Sequence, residues 1–424
     1  MNMKNLLKER SLKIGRNALK KAMKTYLESR SKTFSEIDIQ KLKEKLKEIK
    51  EFSISNLDEL VKKAVNNLKK QGIKVYLARD NKEACEIALK LIPKGEKVVK
   101  SKSNAIKEIG LIEKLEGRNR VIETDCGDFL VELCDEKLAH PVLPAVHIPI
   151  SKIVEKIKKK YKEEVEEDPV KITHWVREKV RSEILTAKIG LTGANAISAD
   201  GAIFILENEG NISLISKIPE KHIIITGIEK VVRTIEDAMT ICHVLAIWGT
   251  GANMPSYVNV ISGPSMTADV AEKLVVGMHG PCDVHLILVD NGRSEIAKSE
   301  LKEILYCINC GACLYFCPVY RQILYKYGHV YLGGIGVAKT FFHTNLKVAF
   351  EKGLYFCTTC SACKEQCPLS IDIPEIIRKL REMCVKKGIE TVANKEMIEN
   401  IGAFENPFGE TLKEDKMPEK LYCC

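Results

Sequence analysis

The sequence predicts an α/β fold: N-terminal helices, then a doubly wound sheet domain, then a C-terminal helical domain organised by two cysteine motifs. Three observations predict it. Between Ile73 and Arg293, short β-rich runs alternate with helical stretches of ten or so residues, as they do when helices cross over between parallel strands. From about residue 296 the β signal stops, and the text reads helix, cysteine motif, helix, cysteine motif, helix. The chain's 424 residues also exceed what one ordinary hydrophobic core holds, so two or three domains are expected.

Residues 1–72 form the expected helical region. In "ISNLDELVKKAVNNLKKQG", Ile54, Leu57, Leu60, Val61, Ala64 and Leu68 recur at helical spacing and Gly72 supplies a stop. The α/β domain, 73–295, opens with strands in "IKVYLA", "EKVVKS" and "NRVIET", separated by the helical "NKEACEIALKLI" and "NAIKEIGLIEKLEG". The charged "KIVEKIKKKYKEEVEEDP", Lys152 to Pro169, reads as an exposed helix followed by a linker. Strands resume through "IGLTGANAISADGAIFILENEGN", and "HLILVDNGR" supplies the last. Residues 296–385 form the cysteine domain and 386–424 a tail, whose terminal Cys423 and Cys424 read as tail rather than metal site.

A composition of 45% hydrophobic and 29% charged residues is that of a globular protein. No run reaches the roughly 18 to 20 uncharged apolar residues of a membrane span, and the N-terminus lacks a secretory apolar core. The expectation is a cytoplasmic protein that is not integral to a membrane. The formal charge is +9, but basic residues interleave with acidic ones, as in "KLKEKLKEIKEF", and no basic–aromatic stripe accompanies them. Nucleic acid is therefore not an expected partner.

Eight of sixteen cysteines fall in two groups of identical spacing, Cys307-x-x-Cys310-x-x-Cys313-x-x-x-Cys317-Pro318 and Cys357-x-x-Cys360-x-x-Cys363-x-x-x-Cys367-Pro368. Zinc takes paired ligands in a tetrahedron, so a third cysteine on the same spacing has no role in a zinc ribbon. A cubane needs it, because three irons must each receive a thiolate from one compact loop. The fourth cysteine begins a segment that proline turns away, and in two-cluster ferredoxins it ligates the other cluster. The expectation is two 4Fe-4S clusters: cluster I on Cys307, Cys310, Cys313 and Cys367, cluster II on Cys357, Cys360, Cys363 and Cys317. His329, between the motifs, reads as capping a turn. No G-x-G-x-x-G follows a strand here, so no flavin or nicotinamide site is evident.

In the α/β domain, "ENEGN" follows the apolar strand "AIFIL", where open sheets bind ligands. Glu207 or Glu209 could serve as a catalytic base, with Asn208 and Asn211 as ligand candidates; the alternative is a polar turn. Ser103, in "SKS" before a helix, is an N-cap or part of an anion site. Asp125, in "ETDCGD", and His147, in "PAVH", could line a cleft, although a lone histidine is more often structural. Cys126 reads as a small buried thiol.

Beyond these local readings, the blocks "NLDELVKKAVNNLKKQGIKVYLARDNKEA", "VVKSKSNAIKEIGL", "ETDCGDFLVEL", "HPVLPAVH", "LTGAN", "ENEGN", "GIEKVV", "VDNGRS" and "CINCGACLYFCPVY" occur in order along the chain. Together they resemble the lactate utilisation protein B family, a LUD domain fused to a dicluster domain. The resemblance implies an α/β fold similar to ribose-5-phosphate isomerase and CoA transferases. It also implies an electron-transfer subunit of a complex that oxidises L-lactate or a related 2-hydroxy acid, with a CCG-type cysteine-rich protein and a second LUD protein as partners. One block departs: "GANAISADG" is a residue shorter than the family's G-A-N-F-A-x-A-E-T-G and has Asp200 for its glutamate. A different class of function also fits, a ligand-binding or regulatory protein whose clusters sense redox state or scaffold an assembly, or a carrier for a heterodisulfide-reductase-like partner. An adjacent cluster pair favours relay, because a sensor needs only one.

Overall fold

The computed structural model describes residues 9–138, 140–412 and 417–419; Cys423 and Cys424 lie outside them. Three helices open it: α1 (Arg10–Glu36), α2 (Ile39–Ser55) and α3 (Leu57–Lys70). Asp38 caps α2 by accepting from the Lys41 amide at 3.0 Å. The apolar stripe read from sequence is buried throughout, but the chain breaks at Asn56, so Ile54 sits on α2 and the rest on α3. Gly72 ends the run with a φ of +90°, a conformation only glycine adopts freely.

Six parallel strands form the main sheet: β1 (Lys74–Ala78), β2 (Lys97–Lys100), β3 (Arg120–Glu123), β4 (Ile189–Thr192), β7 (Lys221–Gly227) and β12 (Asp283–Val289). Their order is β1-β12-β7-β4-β2-β3. Neighbouring residues of one strand enter different cores, Val98 on one face and Val99 on the other, Ile223 and Ile225 opposite Ile224. Both faces are thus covered, as a parallel sheet requires.

A second sheet, absent from the sequence reading, packs beside it: β5 (Ala196–Ser198), β6 (Ala202–Glu207), β8 (Val231–Val232) and β9 (Tyr257–Ile261), ordered β8-β5-β6-β9. The run "AIFIL" reads like another buried parallel strand, yet it pairs antiparallel with both β5 and β9. Asp200 and Gly201 make the hairpin turn, with Asp200 exposed and paired to Lys63 at 3.4 Å. The departure from the family block is therefore a surface turn. A two-stranded ribbon, β10 (Met266–Thr267) with β11 (Val275–Val276), completes the β structure.

The charged stretch near residue 152 is a helix followed by an irregular connection over 162–168, but the helix is not wholly exposed. Its helix Ile150–Tyr161 buries Ile153 and Ile157 against Trp175 of the helix Pro169–Leu185, and Glu163 accepts from the Trp175 indole at 2.7 Å. Its lysines and glutamates lie largely toward solvent, which made the segment look wholly polar.

After β12 the chain is helical. Leu12, Leu19, Leu46 and Ile49 of α1 and α2 share one core with Trp248 of the helix Ile235–Thr250 and with Tyr315, Tyr320 and Ile377 of the cysteine module. The N-terminal helices thus pack across the cysteine module. The strongest polar tie is Arg293, just past β12 and 1% exposed. Its guanidinium grips Glu108 through two bonds of 2.9 and 2.8 Å and reaches Glu229 at 2.5 Å, while Tyr331 of the cysteine module donates to Glu108 at 2.8 Å. Burial opposes the charge on Glu108, but Arg293 outweighs it and holds the carboxyl at about 2, below its ordinary 4.5.

Replacing Arg293 by methionine leaves two buried carboxylates without their cation, and should cost about 3–5 kcal/mol, read as a lower urea midpoint. Because the folded pKa of Glu108 is depressed, its contribution is fully present above pH 4.5 and is lost as pH falls toward about 2. Glu108→Gln should flatten that acid limb; an unchanged acid limb would remove Glu108 as its source.

Candidate metal centre

The two cysteine motifs repeat in backbone as well as in spacing. Each follows a short 3-10 turn, Lys302–Tyr306 or Leu354–Phe356, and each carries its third cysteine on a five-residue helix, Ala312–Phe316 or Ala362–Gln366, that the fourth cysteine ends. Within each loop the residues after the first cysteine include two left-handed positions, Asn309 (φ +63°) and Gly311 (φ +79°) in one, Thr359 (φ +51°) and Ser361 (φ +65°) in the other. Left-handed residues at alternate positions turn peptide N–H groups into one concavity, a nest of the kind that surrounds iron–sulfur clusters. For threonine and serine this conformation costs of order 1–2 kcal/mol each, so the loop is held there by its surroundings.

The fourth cysteine of each motif stands with the other motif. One cavity is lined by Cys307, Cys310, Cys313 and Cys367. A small void is lined by Cys317, Cys357, Cys360 and Cys363, with Cys313 on its wall. Burial, and then the negative charge of neighbouring thiolates, raises Cys363 to about 12, with Cys317 and Cys357 first among those neighbours. Cys310 is raised likewise, with Cys367 and Cys307 beside it. Crowded, buried thiols of this kind suit a cationic core that replaces their protons. Among the described residues no three His, Cys, Asp or Glu side chains converge as a single metal ion needs; a cubane spreads its thiolates over a larger frame. The donor set therefore fits a 4Fe-4S cluster at each nest.

Charge around the two nests is unequal. Near Cys307 lie three buried lysines, Lys50, Lys230 and Lys339. Lys50 donates to the Glu229 carbonyl at 2.7 Å, and Lys339 to the Asn309 side chain at 2.5 Å. Burial, then the charge of Lys230, lowers Lys50 to about 7. At the second nest the buried hydroxyl of Tyr327 has no oxygen or nitrogen partner and interacts with Cys357 instead.

The residues singled out in the α/β domain come together only in part. Glu207 caps the helix Asn211–Ile215 from outside, accepting from the amides of Ile212 (2.5 Å) and Ser213 (2.7 Å), from the Ser213 hydroxyl, and from Asn259 at 2.8 Å. A carboxylate so saturated is poorly placed to take a proton. Glu209, on the rim, accepts from the Cys126 amide at 2.9 Å; partial desolvation and then Asp125 raise its pKa. Asn211 bonds Thr124 at 3.0 Å and Asp125 caps the helix Cys126–Leu133, so the ends of β3 and β6 meet here. Asn208 accepts from the Ser256 amide at 3.0 Å. His147 faces Glu136 and Lys152, and burial lowers its pKa. Ser103 caps the helix Asn104–Glu108. His329 stacks on His343, with ring nitrogens 3.5 Å apart.

Sequence reasoning missed the lysines. Lys100 and Lys102 leave the end of β2, Lys100 paired with Glu123 and, at 3.1 Å, with Glu132. Burial works against the Lys100 charge, but the two glutamates outweigh it and hold its pKa above the ordinary lysine range. The signal was present: lysine closing the apolar "KVVK" is costly unless paired.

Residues 61–289 match the LUD domain family, and residues 303–371 match the 4Fe-4S dicluster domain family. Fold and nests together define an iron–sulfur electron-transfer protein with two 4Fe-4S clusters. The chain is 33% identical to the uncharacterized electron transport protein YkgF of Escherichia coli (strain K12) over 356 residues, 83% of this chain and 73% of that one. It is also 33% identical to lactate utilization protein B of Bacillus thuringiensis (strain Al Hakam) over 345 residues, 80% of this chain and 71% of that protein. The chain belongs to the lactate utilisation protein B family of LUD-domain proteins. A crystal structure of a duf162 family protein from Deinococcus radiodurans aligns with 55% of this chain and 98% of that one, at 14% identity and a TM-score of 0.32. Among the described residues no helix is long and apolar enough to cross a membrane.

Hydrogen bonds to cluster sulfurs raise a cluster's potential. Tyr327→Phe should therefore lower one of the two midpoints, by about 40 mV for a bond of about 1 kcal/mol, in an EPR-monitored redox titration. Two unshifted midpoints would show that the hydroxyl does not engage Cys357.

Proposed function

We propose that this chain is the electron-transfer subunit of a cytoplasmic assembly that oxidises L-lactate or a related 2-hydroxy acid to the 2-oxo acid. A CCG-type cysteine-rich protein and a second LUD protein are its proposed partners. The observation that carries the reading is the placement of two cysteine nests side by side, Cys313 facing both, under an α/β domain of the lactate utilisation type. A 4Fe-4S cluster accepts and passes on one electron at a time. The chain's own residues hold the two nests in register, bury their thiols, and set unequal charge around them. Glu207 is committed to hydrogen bonds within the fold, which supports placing substrate proton chemistry in a partner, with Glu209 the remaining candidate base in this chain.

We further propose crossed ligation: cluster I on Cys307, Cys310, Cys313 and Cys367, cluster II on Cys357, Cys360, Cys363 and Cys317. The grouping of these side chains around two separate voids supports it. The proposed domain division, at about residues 72, 295 and 385, follows chain order.

Two measurements check these proposals. L-Lactate added to the co-purified native assembly should produce the EPR signal of reduced clusters; no reduction by lactate or other 2-hydroxy acids would remove the substrate assignment. Cys317→Ala should lower iron from about eight to about four per chain and abolish the signal of the second-motif cluster. Loss of the first-motif signal alone would refute crossed ligation.

A further inference from the structure

In the main sheet the chain leaves β2 outward to β3 and then returns across to β4. The topological switch therefore lies between β2 and β4, where open α/β sheets bind ligands outside the strand ends. The backbone is shaped for close approach there: a Cβ on Gly193, just past β4, would sit 2.6 Å from the Ser103 hydroxyl. Lys100 ends β2, Lys102 follows it, and Lys107 lies on the next helix. All three line a cavity of about 720 Å³ that is also lined by Cys307, Cys310, Cys313 and Cys367.

The second nest has the same spacing and backbone but encloses only about 20 Å³. Each nest has the thiolates for one cubane, so the ligand set does not account for the difference. The surplus at the first nest has the size of a small-molecule pocket, about 300–1,000 Å³.

Its lining is of two chemical kinds, cationic and apolar. Lys102 and Lys107 share a single carboxylate, Asp128, at 3.0 and 3.3 Å. Lys137 and Lys352 also line the cavity, and neither forms an ion pair with a described residue. The lining carboxylates are Glu113 and Glu132, the latter held by Lys100. The lysines of the lining can thus accept further negative charge. Apolar groups complete much of the lining: Leu138, Leu332, Ile335, Leu369 and the ring of Tyr331. A bare anion would leave these walls in contact with water, and a purely apolar ligand would leave the lysines unmet. A pocket floored by cluster ligands also favours a ligand with electrons to exchange.

We propose that this cavity binds an anionic, ring-bearing two-electron carrier of the size of flavin mononucleotide, its phosphate or carboxylate toward the lysines and its ring toward the first cysteine nest. Side chains around a sheet switch point make the site, so it needs no glycine-rich dinucleotide loop. Oxidation of the reduced carrier releases two electrons, one for each cluster, and two protons to the solvent. The proposal goes beyond the 2-hydroxy-acid reading, and it is tested without lactate, so either can fail alone.

The test is equilibrium dialysis of the intact holoprotein, both clusters present, against flavin mononucleotide and, separately, riboflavin, which lacks the phosphate. One flavin mononucleotide per chain should bind, and riboflavin at least about tenfold more weakly, the loss of one charge-assisted contact. The double variant Lys137→Gln/Lys352→Gln, at positions without ion pairs to lose, should weaken binding by about tenfold. Leu138→Trp, on a half-buried wall outside both cysteine motifs, should block it at unchanged iron content. No retention of flavin mononucleotide by the wild-type holoprotein at about 1 mM, or retention unchanged in both variants with iron intact, would overturn the proposal.

Discussion

The guanidinium of Arg293, buried between Glu108 and Glu229, is the interaction on which the position of the cysteine module depends. Each partner belongs to a different part of the structure. Glu108 ends the short helix after β2, Glu229 follows β7, and Tyr331, which also bonds Glu108, comes from between the two motifs. Phe342 of the helix Gly333–His343 lies against the guanidinium face at 5.2 Å. A buried arginine is tolerated only when every charge around it is answered. The network therefore fixes several elements at once, and a shift of the module by an ångström would leave a carboxylate unanswered.

Charge explains a second arrangement. Lys50, Lys230 and Lys339 are all buried, and Glu229, the nearest carboxylate in the group, is already engaged by Arg293. Three ammonium groups sharing so little negative charge would be costly in an apolar interior. The thiolates around Cys307 supply what is missing, and these lysines in turn offset the net negative charge of a tetrathiolate cluster. At the second nest a half-buried cation, Arg381, donates to the Cys357 carbonyl at 2.6 Å, and a tyrosine hydroxyl stands where the first nest has lysines. Two nests built from one repeat are thereby made electrostatically distinct.

Much of this was legible in the sequence. Strand and helix alternation gave the parallel sheet, because runs such as "KVVK" and "HIIIT" are apolar on both faces and only a sheet covered twice can use them. Repeated cysteine spacing gave the nests, because that chemistry is local in sequence. The antiparallel sheet was not legible: a buried strand has no alternation that reveals its direction. Nor was Glu207's role, since a glutamate that caps a helix reads the same as one that waits for a proton. Glu108, Glu229 and Arg293 stood in blocks that carried the family resemblance, yet Arg293 meets Glu229 from 64 residues away and Glu108 from 185. No local pattern records a contact of that range.

Cys313 forms the wall between the cavity at one nest and the void at the other. A wall one side chain thick makes the clusters a single reservoir rather than two stations on a line. A donor that must give up two electrons together can then discharge in one visit, and an acceptor that takes them singly can withdraw them at its own pace. Under the proposed function the repeated motif is a timing device, which separates the rhythm of the chemistry on one side from the rhythm of the partner on the other.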